Sequence, residues 1–532
     1  MNPTATGAIA PADPRRLPDY APTPVTDFGR SEERAAFEAA LAAVRAQLGR
    51  EYPLVIGGER RGADHTFESR NPARPAEVIG RFAAGSREQA TLAVEAAQRA
   101  FASWSRVPAA ERAAFLLEAA RRMRERRHTF SAWMVYEVGK SWAEADADTA
   151  EAVDFMEFYA REMLRYDAPQ PVTQLPGERD AMVYIPLGVG AIIPPWNFPL
   201  AILVGMASAA IVAGNTVVVK PSSDAPAIAW QFHALMEEVG LPAGVFNLVT
   251  GGGGTVGDTL VRHPKTRFVA FTGSREVGVG INTLAATVQP GQLWLKRVVA
   301  EMGGKDAIIV DEEADLDAAA QGVAVSAFGF QGQKCSACSR AIVSEKVYAP
   351  FLARLEAEVR KITVGDPERP ETRMGPVVNA AARDKILSYI ERGKREGRLV
   401  SGGGAVVGEQ GYFIEPTVIA DVKPDNVIAR EEIFGPVLAV MPARSYDEAL
   451  AIANGTEYGL TGAVYTRNPE KIERAKREFF VGNLYINRKS TGAILGAHPF
   501  GGFNMSGTDS KAGGRDYLLL FLQAKSIAEK IG

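Results

Sequence analysis

VYIPLGVGAII (183–193), NTVVVK (215–220), GVFNLVT (244–250) and RFVAFTG (267–273) are four short apolar runs within one hundred residues. Helix-like segments such as IAWQFHALMEEVG (228–240) separate them. That alternation predicts βαβ units around a parallel sheet. The pattern returns downstream. DAIIV (306–310), RAIVS (340–344), YFIEPTVIA (412–420), PVLAVMP (436–442), GAVYTR (462–467) and GNLYIN (482–487) read as strands. YAPFLARLEAEVRKI (348–362) and EALAIANG (448–455) read as helices among them. Two consecutive α/β domains meeting near residues 301–305 are therefore expected, and no short internal repeat is visible.

Working outward, residues 31–50 and 86–127 carry helical spacing and end in basic last turns, as the helix dipole favours. Ser86 with Gln89 is a candidate capping box, and Pro108 restarts the second helix after a break. The run LAILVGMASAAIVAGNTVVV (200–219) has the length of a bilayer span. Gly214-Asn215 breaks it, so a buried small-residue helix followed by a strand is the better reading. Residues 167–179 are polar and contain proline, and are expected to leave the first domain as an arm. The tail LLLFLQAKSIAEKIG (518–532) is more apolar than a loose terminus and is expected to pair with something, such as another subunit.

With 532 residues, 46% of them hydrophobic and 23% charged, the chain is long enough for more than one core. A net charge of −3 gives no footprint for nucleic acid or an anionic membrane. The only two cysteines, Cys335 and Cys338, point to a reducing compartment, hence the cytoplasm. The proline-rich start, MNPTATGAIAPADPRRLPDYAPTP (1–24), lacks the apolar stretch of a signal peptide and reads as a mobile or surface-draped arm.

Four motifs are candidates for chemistry. Gly252, Gly254 and Gly257 fit G-x-G-x-x-G after a strand, and FTGSREVG (271–278) follows another. Either can aim backbone N–H groups at a pyrophosphate, or simply make a turn. A third glycine run, 402–404, reads as a turn. Cys335, in QGQKCSACSR (331–340), is a candidate nucleophile with Lys334 and Arg340 available to lower its pKa. An inert buried thiol, a redox Cys-x-x-Cys, half a zinc site and a papain-like hydrolase with a histidine base folded close remain open from that motif alone. The five histidines lack metal spacing, so no metal site is expected. Glu301, before a buried strand, suits a general base or a satisfied domain-junction carboxylate. Asn197, in PPWNFP (194–199), suits an oxyanion donor or an Asx-turn.

Seven motifs in order, PPWNFP, VVVKPSS, FTGSREVG, EMGGKDAIIV, GQKCSACSR, EEIFGPVL and HPFGGFNMSG, resemble the aldehyde dehydrogenase superfamily from about Leu54 to the C-terminus. Lys334 and Ser336 around the cysteine, the loop NRKSTGA (487–493) and the long N-terminal extension resemble, within it, the branch that oxidises glutamate γ-semialdehyde in proline catabolism. The resemblance implies an α/β fold of the aldehyde dehydrogenase type: a Rossmann-like NAD domain and a catalytic domain, plus an oligomerisation arm. The implied division is 1–50 as N-terminal extension and helix, 51–166 with 187–301 as the NAD domain, and 302–489 as the catalytic domain. Residues 167–186 and 490–532 form the arm, tail and anchor loop.

The same resemblance implies the roles. Cys335 attacks the aldehyde, the Asn197 amide and the Cys335 backbone N–H hold the oxyanion, and Glu301 activates the hydrolytic water. Lys220 meets the adenosine ribose, with Ser223 beside it, Glu432 binds the nicotinamide ribose, and Phe434 packs nearby. Ser274 and its loop, Phe271, Thr272, Gly273 and Gly278, meet the pyrophosphate. Pro195, Trp196, Gly253, Gly257, Met302 and Gly303 complete the cofactor set. Many NAD-preferring members carry a glutamate in place of Ser223; a neutral hydroxyl there implies that NADP is tolerated, with NAD preferred. Ser336, Gly492 and Ala493 bind the substrate carboxylate, Phe198 and Phe500 flank its stem, and Glu151 meets its ammonium, with Asp154 and Glu157 as alternatives. The implied partners are a second subunit and a separate proline dehydrogenase, with no nucleic acid or membrane. Competing readings are a dehydrogenase of succinate semialdehyde or a simple aliphatic aldehyde, a CoA-acylating relative, which would lack the Glu301 base, and a structural protein that has lost catalysis.

Overall fold

The computed structural model describes residues 17–408 and 410–531. Two seven-stranded sheets organise it. The first runs, in spatial order, Arg297–Glu301, Thr266–Thr272, Val189–Ile193, Thr216–Val219, Phe246–Leu248, Leu54–Ile56 and Glu59–Arg61. The first five are mutually parallel and the last two join antiparallel. The second runs Arg398–Ser401, Thr417–Ala420, Val437–Ala443, Arg340–Ser344, Ala307–Val310, Thr461–Tyr465 and Asn483–Ile486, parallel except at its first edge. The first sheet ends its chain path at Glu301 and the second begins at Ala307.

The run 200–219 is two buried elements, helix Ala201–Val212 and strand Thr216–Val219. The helix is apolar on all sides because it is covered on all sides. It packs against the long helix Trp142–Asp167, where Gly205 faces the Phe155 ring and a Cβ would come within 3.1 Å of it. The turn between helix and strand has Gly214 at φ +94. Asn215 closes it, accepting the N–H groups of Leu187 and Gly188 at 2.7 and 2.9 Å. Among the described residues no helix is long and apolar enough to cross a membrane.

Helix Ser31–Arg45 stops five residues short of the periodic pattern, because Gly49 turns the chain at φ +79 into strand Arg50–Tyr52. Residues 86–127 form two helices, Arg87–Trp104 and Ala109–Glu125, the second starting after Pro108. Ser86 and Gln89 make the capping box, which stabilises such a start by about 1 kcal/mol. The tail finds its pairing inside the chain. Strand Leu522–Lys530 runs antiparallel to Glu178–Pro186, from Leu522 opposite Pro186 to Lys530 opposite Glu178. This two-stranded ribbon leaves Val183, Ile185 and Ile527 exposed.

Of the N-terminal arm, residues 1–16 lie outside the described residues, and 17–30 drape over the long helix. Asp146 accepts the Thr26 N–H and hydroxyl at 2.7 Å each, and Asp154 accepts the Thr23 N–H at 2.8 Å. Arg127 clamps Asp146 from the other side and donates to the Pro24 carbonyl. Glycines 402 and 403 are left-handed and make a turn.

Candidate active site

A cavity of about 640 Å³ opens at the carboxyl ends of the first sheet's parallel strands. Side chains just past four of them line it: Pro195 to Asn197, Lys220, Gly273 with Ser274, and Met302 with Gly303. Ligands bind at this end of an open parallel sheet because each strand hands over to a loop or helix there. Ser274 caps helix Arg275–Ala286, accepting the Val277 N–H at 3.4 Å. The helix therefore presents its N-terminus to the cavity, a site for an anion. Gly253 and Gly257 line the opposite wall in a tight turn leading into helix Asp258–Arg262.

Two charged groups suit a dinucleotide in this cavity. Lys220 is buried, among the described residues its ammonium donates only to the Pro221 carbonyl at 2.9 Å, and desolvation lowers its pKa to about 8. Such an ammonium has spare donors for ribose hydroxyls. Glu432 accepts the Gly304 N–H at 3.0 Å and lies against Gly303, where a Cβ would collide with its carboxylate. Burial raises its pKa. Phe434 sits at φ +60 and meets Trp196 edge-on at 5.5 Å between centroids.

The same cavity ends on Cys335 and Asn197. The chain reaches Cys335 through three left-handed residues, Phe330, Gln331 and Gly332. Gln331 holds that turn by donating to the carbonyls of Gly139 and Pro376 at 3.1 and 2.7 Å. Asn197 donates one amide hydrogen to the Gln333 carbonyl at 3.0 Å, which leaves the other free. Among the described residues the Cys335 backbone N–H has no acceptor. Two uncommitted donors beside a thiol are what an oxyanion requires.

The charges around the thiol differ from the sequence expectation. Lys334 is committed to Glu144 at 2.7 Å, and Arg340 donates to the carbonyls of Lys305, Ile452 and Ala453. Burial, and then the charges of Asp306, Glu301 and Glu432, push the Cys335 pKa well above its usual value. The thiol is protonated at neutral pH in this state. Glu301 is turned to the 500–511 loop, accepting the Ser510 hydroxyl and the Gly502 N–H at 3.2 Å. Burial pushes its pKa up to about 7. It lies outside the cavity lining, yet close enough for its charge to act on the thiol.

The residues expected to take the substrate are held by separate contacts. Ser336 is buried, its carbonyl accepting the Ser490 and Thr461 hydroxyls at 3.4 Å each. The Phe198 and Phe330 rings meet edge-on at 6.4 Å, and the Lys334 ammonium lies 5.9 Å from the Phe198 ring. Glu151 is pushed up to about 8 by burial and Asp148, against Lys140 and Lys334. Gly492 is left-handed, with the Lys489 side chain folded against it. Ala493 follows it, half-buried. Phe500 exchanges backbone hydrogen bonds with Ala512, one residue from Gly501, which faces Glu301.

Residues 60–527 match the family model described as aldehyde dehydrogenase family. The chain belongs to that family. A 1-pyrroline-5-carboxylate dehydrogenase of Geobacillus thermodenitrificans (strain NG80-2) is 58% identical over 510 residues, 96% of this chain and 99% of that one. The crystal structure of 1-pyrroline-5-carboxylate dehydrogenase from Thermus with bound NAD superposes with a TM-score of 0.95 at 50% identity, covering 97% of this chain and all of that one. Proline utilization A from Bdellovibrio bacteriovorus gives the same TM-score at 45% identity, over 96% of this chain but 53% of its own length.

Of the cofactor residues expected from the sequence, two stand apart from the cavity of this family member. Ser223 is exposed and outside the lining, where its neighbour Ser222 takes the place. Gly278 lies behind the wall, packed so tightly on Met302 and Phe271 that a Cβ would not fit. Val277, Ile281 and Leu284 line the cavity without having been singled out. Their i, i+4, i+7 spacing on the helix after FTGS was the available signal. Lys385 and Asp258 also line it, and no local motif marks either.

Proposed function

We propose that this chain oxidises L-glutamate γ-semialdehyde, the open form of 1-pyrroline-5-carboxylate, to L-glutamate with NAD, through a thioester on Cys335. The observation that carries the reading is the shared cavity: the nucleophile and Asn197 stand where the strand-end cofactor residues converge. The named activity of the Geobacillus and Thermus relatives, and the charged group around Ser336, Glu151 and Lys334, support the substrate. Lys220, Glu432 and the N-terminus of helix Arg275–Ala286 would hold NAD, which supplies the hydride acceptor when bound. NADP is tolerated because the side chain that lines the cavity after Lys220 is that of Ser222, a neutral hydroxyl that does not repel a 2′-phosphate.

The residues act in sequence. The Cys335 thiol gives its proton to solvent, and its sulfur adds to the aldehyde carbon. The oxyanion is held by the second Asn197 amide hydrogen and the Cys335 N–H. Hydride then leaves the tetrahedral carbon, and the thioester remains on Cys335. Glu301, ionised, then removes a proton from water, which attacks the thioester; the departing Cys335 thiolate takes that proton back and the acid is released. Ser336 with the Gly492–Ala493 backbone receives the substrate carboxylate, Glu151 the ammonium, and Phe198 and Phe500 the stem.

The division of labour follows the sheets: 51–166 with 187–301 hold the cofactor, and 302–489 hold the nucleophile. The arm, 167–186 with 490–532, joins subunits into at least a dimer, for which the open ribbon edge and its exposed Ile185 and Ile527 speak. The chain works in the cytoplasm beside a separate proline dehydrogenase. A steady-state panel of aldehydes with NAD tests the reading. Glutamate semialdehyde is expected to give the highest kcat/KM, and a preference for succinate semialdehyde or propanal would overturn the substrate.

A further inference from the structure

Beside the nucleophile loop lies a charged pair that no step above uses. Lys140 and Asp148 are wholly buried, Nζ 2.9 Å from Oδ2. Taking two charges out of water is costly unless other contacts compensate. For Lys140 they are two rings: its ammonium lies 4.0 Å from the Phe198 centroid and 4.4 Å from that of Phe330. An ammonium is drawn to a ring's face, so a cation pinned at one point selects the orientation of both rings. The backbone is tied to the same place. The Gly139 carbonyl, next to Lys140, accepts the Gln331 amide at 3.1 Å, and Asp148 Oδ1 accepts the Ala201 N–H at 2.7 Å.

Phe198 follows Asn197 in sequence, and Phe330 opens the left-handed run before Cys335. One buried pair thus grips both loops that carry an oxyanion donor. We propose that Lys140 and Asp148 are positioning residues that fix the Asn197 amide relative to the Cys335 N–H. This rests on the reaction proposed above. Neither residue touches the reacting atoms; each acts through a ring or a helix start.

The test is a double-mutant cycle in the full-length chain. The K140M/D148N variant removes both charges together, leaves neither unpaired, and keeps an acceptor for the Ala201 N–H. The parent and N197A backgrounds are compared with and without it, on glutamate semialdehyde and on propanal, with NAD affinity read by fluorescence quenching. The expected result is a fall in kcat of about 10- to 100-fold on both aldehydes, the scale of a small misplacement of reacting groups. NAD affinity stays unchanged, and the loss disappears in the N197A background, because the donor being positioned is gone. A kcat within about twofold of the parent, or an equal loss in both backgrounds, overturns the proposal. Should the double variant not fold, D148N alone carries the same cycle, with a smaller fall expected and additivity again fatal. A parent enzyme that prefers propanal would refute the proposed substrate, while the cycle would still be decided on propanal.

Discussion

Glu301→Gln separates the two halves of the reaction. The substitution keeps the shape and exchanges a carboxylate for an amide. The amide oxygen keeps the Gly502 N–H, and the Ser510 hydroxyl can reverse to accept from the amide nitrogen, so the loop 500–511 stays in place. With the Glu301 pKa raised to about 7 by burial, the carboxyl is mostly protonated below that pH and mostly ionised above it. A base works only when ionised, so turnover limited by hydrolysis rises roughly tenfold between about pH 6 and pH 8 and then levels off. A positioned base contributes about 10²- to 10⁴-fold, or roughly 2.7–5.5 kcal/mol of barrier. The variant is therefore expected to lose about that much in kcat, together with the pH step. In rapid mixing followed by NADH absorbance it still gives an initial burst approaching one NADH per subunit, because acylation precedes hydrolysis. Turnover within about threefold of the parent, with the pH step intact, would show that another group is the base.

Ser336→Leu puts a longer side chain where a buried serine now sits. It is expected to lower kcat/KM for glutamate semialdehyde by about 100-fold at unchanged NAD affinity, and unchanged kinetics would remove the carboxylate pocket. Asp146→Ala strands Arg127 and releases Thr26. The urea midpoint is expected to fall by the equivalent of about 3 kcal/mol with the slope preserved, whereas an unmoved midpoint would mean that the arm contributes nothing to stability. Ser222→Glu places a carboxylate in the cavity wall itself. It should abolish NADP turnover and spare that with NAD, and no detectable NADP turnover in the parent would refute the tolerance itself.

Much of the fold is legible in the sequence because the parallel strands are short apolar runs, and two of those that lead into the cavity end on a residue that marks the hand-over, Lys220 and Gly273. VVVK and VAFTG announce both a strand and the loop that lines the cavity. The ordered motifs likewise bring Cys335, Asn197 and Lys220 to one place. What the sequence conceals is side-chain commitment. Lys334 and Arg340 stand near Cys335 along the chain, yet one reaches back to Glu144 and the other is consumed by three carbonyls, and the thiol's pKa is raised rather than lowered. Ser222 and Ser223 differ only in which way the turn after Lys220 faces them, which no periodicity encodes. Lys140 carries no motif at all; its meaning depends on rings 58 and 190 positions away.

The ribbon of Glu178–Pro186 with Leu522–Lys530 joins segments made far apart in time on the ribosome. Throughout synthesis of everything between them, the first of these strands has no native partner for its hydrogen-bonding edge, while Val183 and Ile185 already stand on it. A nascent chain stalled before Leu522 therefore presents an open, apolar β-edge that invites association with its neighbours. Losing the last ten residues would turn a finishing strand into a solubility problem before it touched the chemistry.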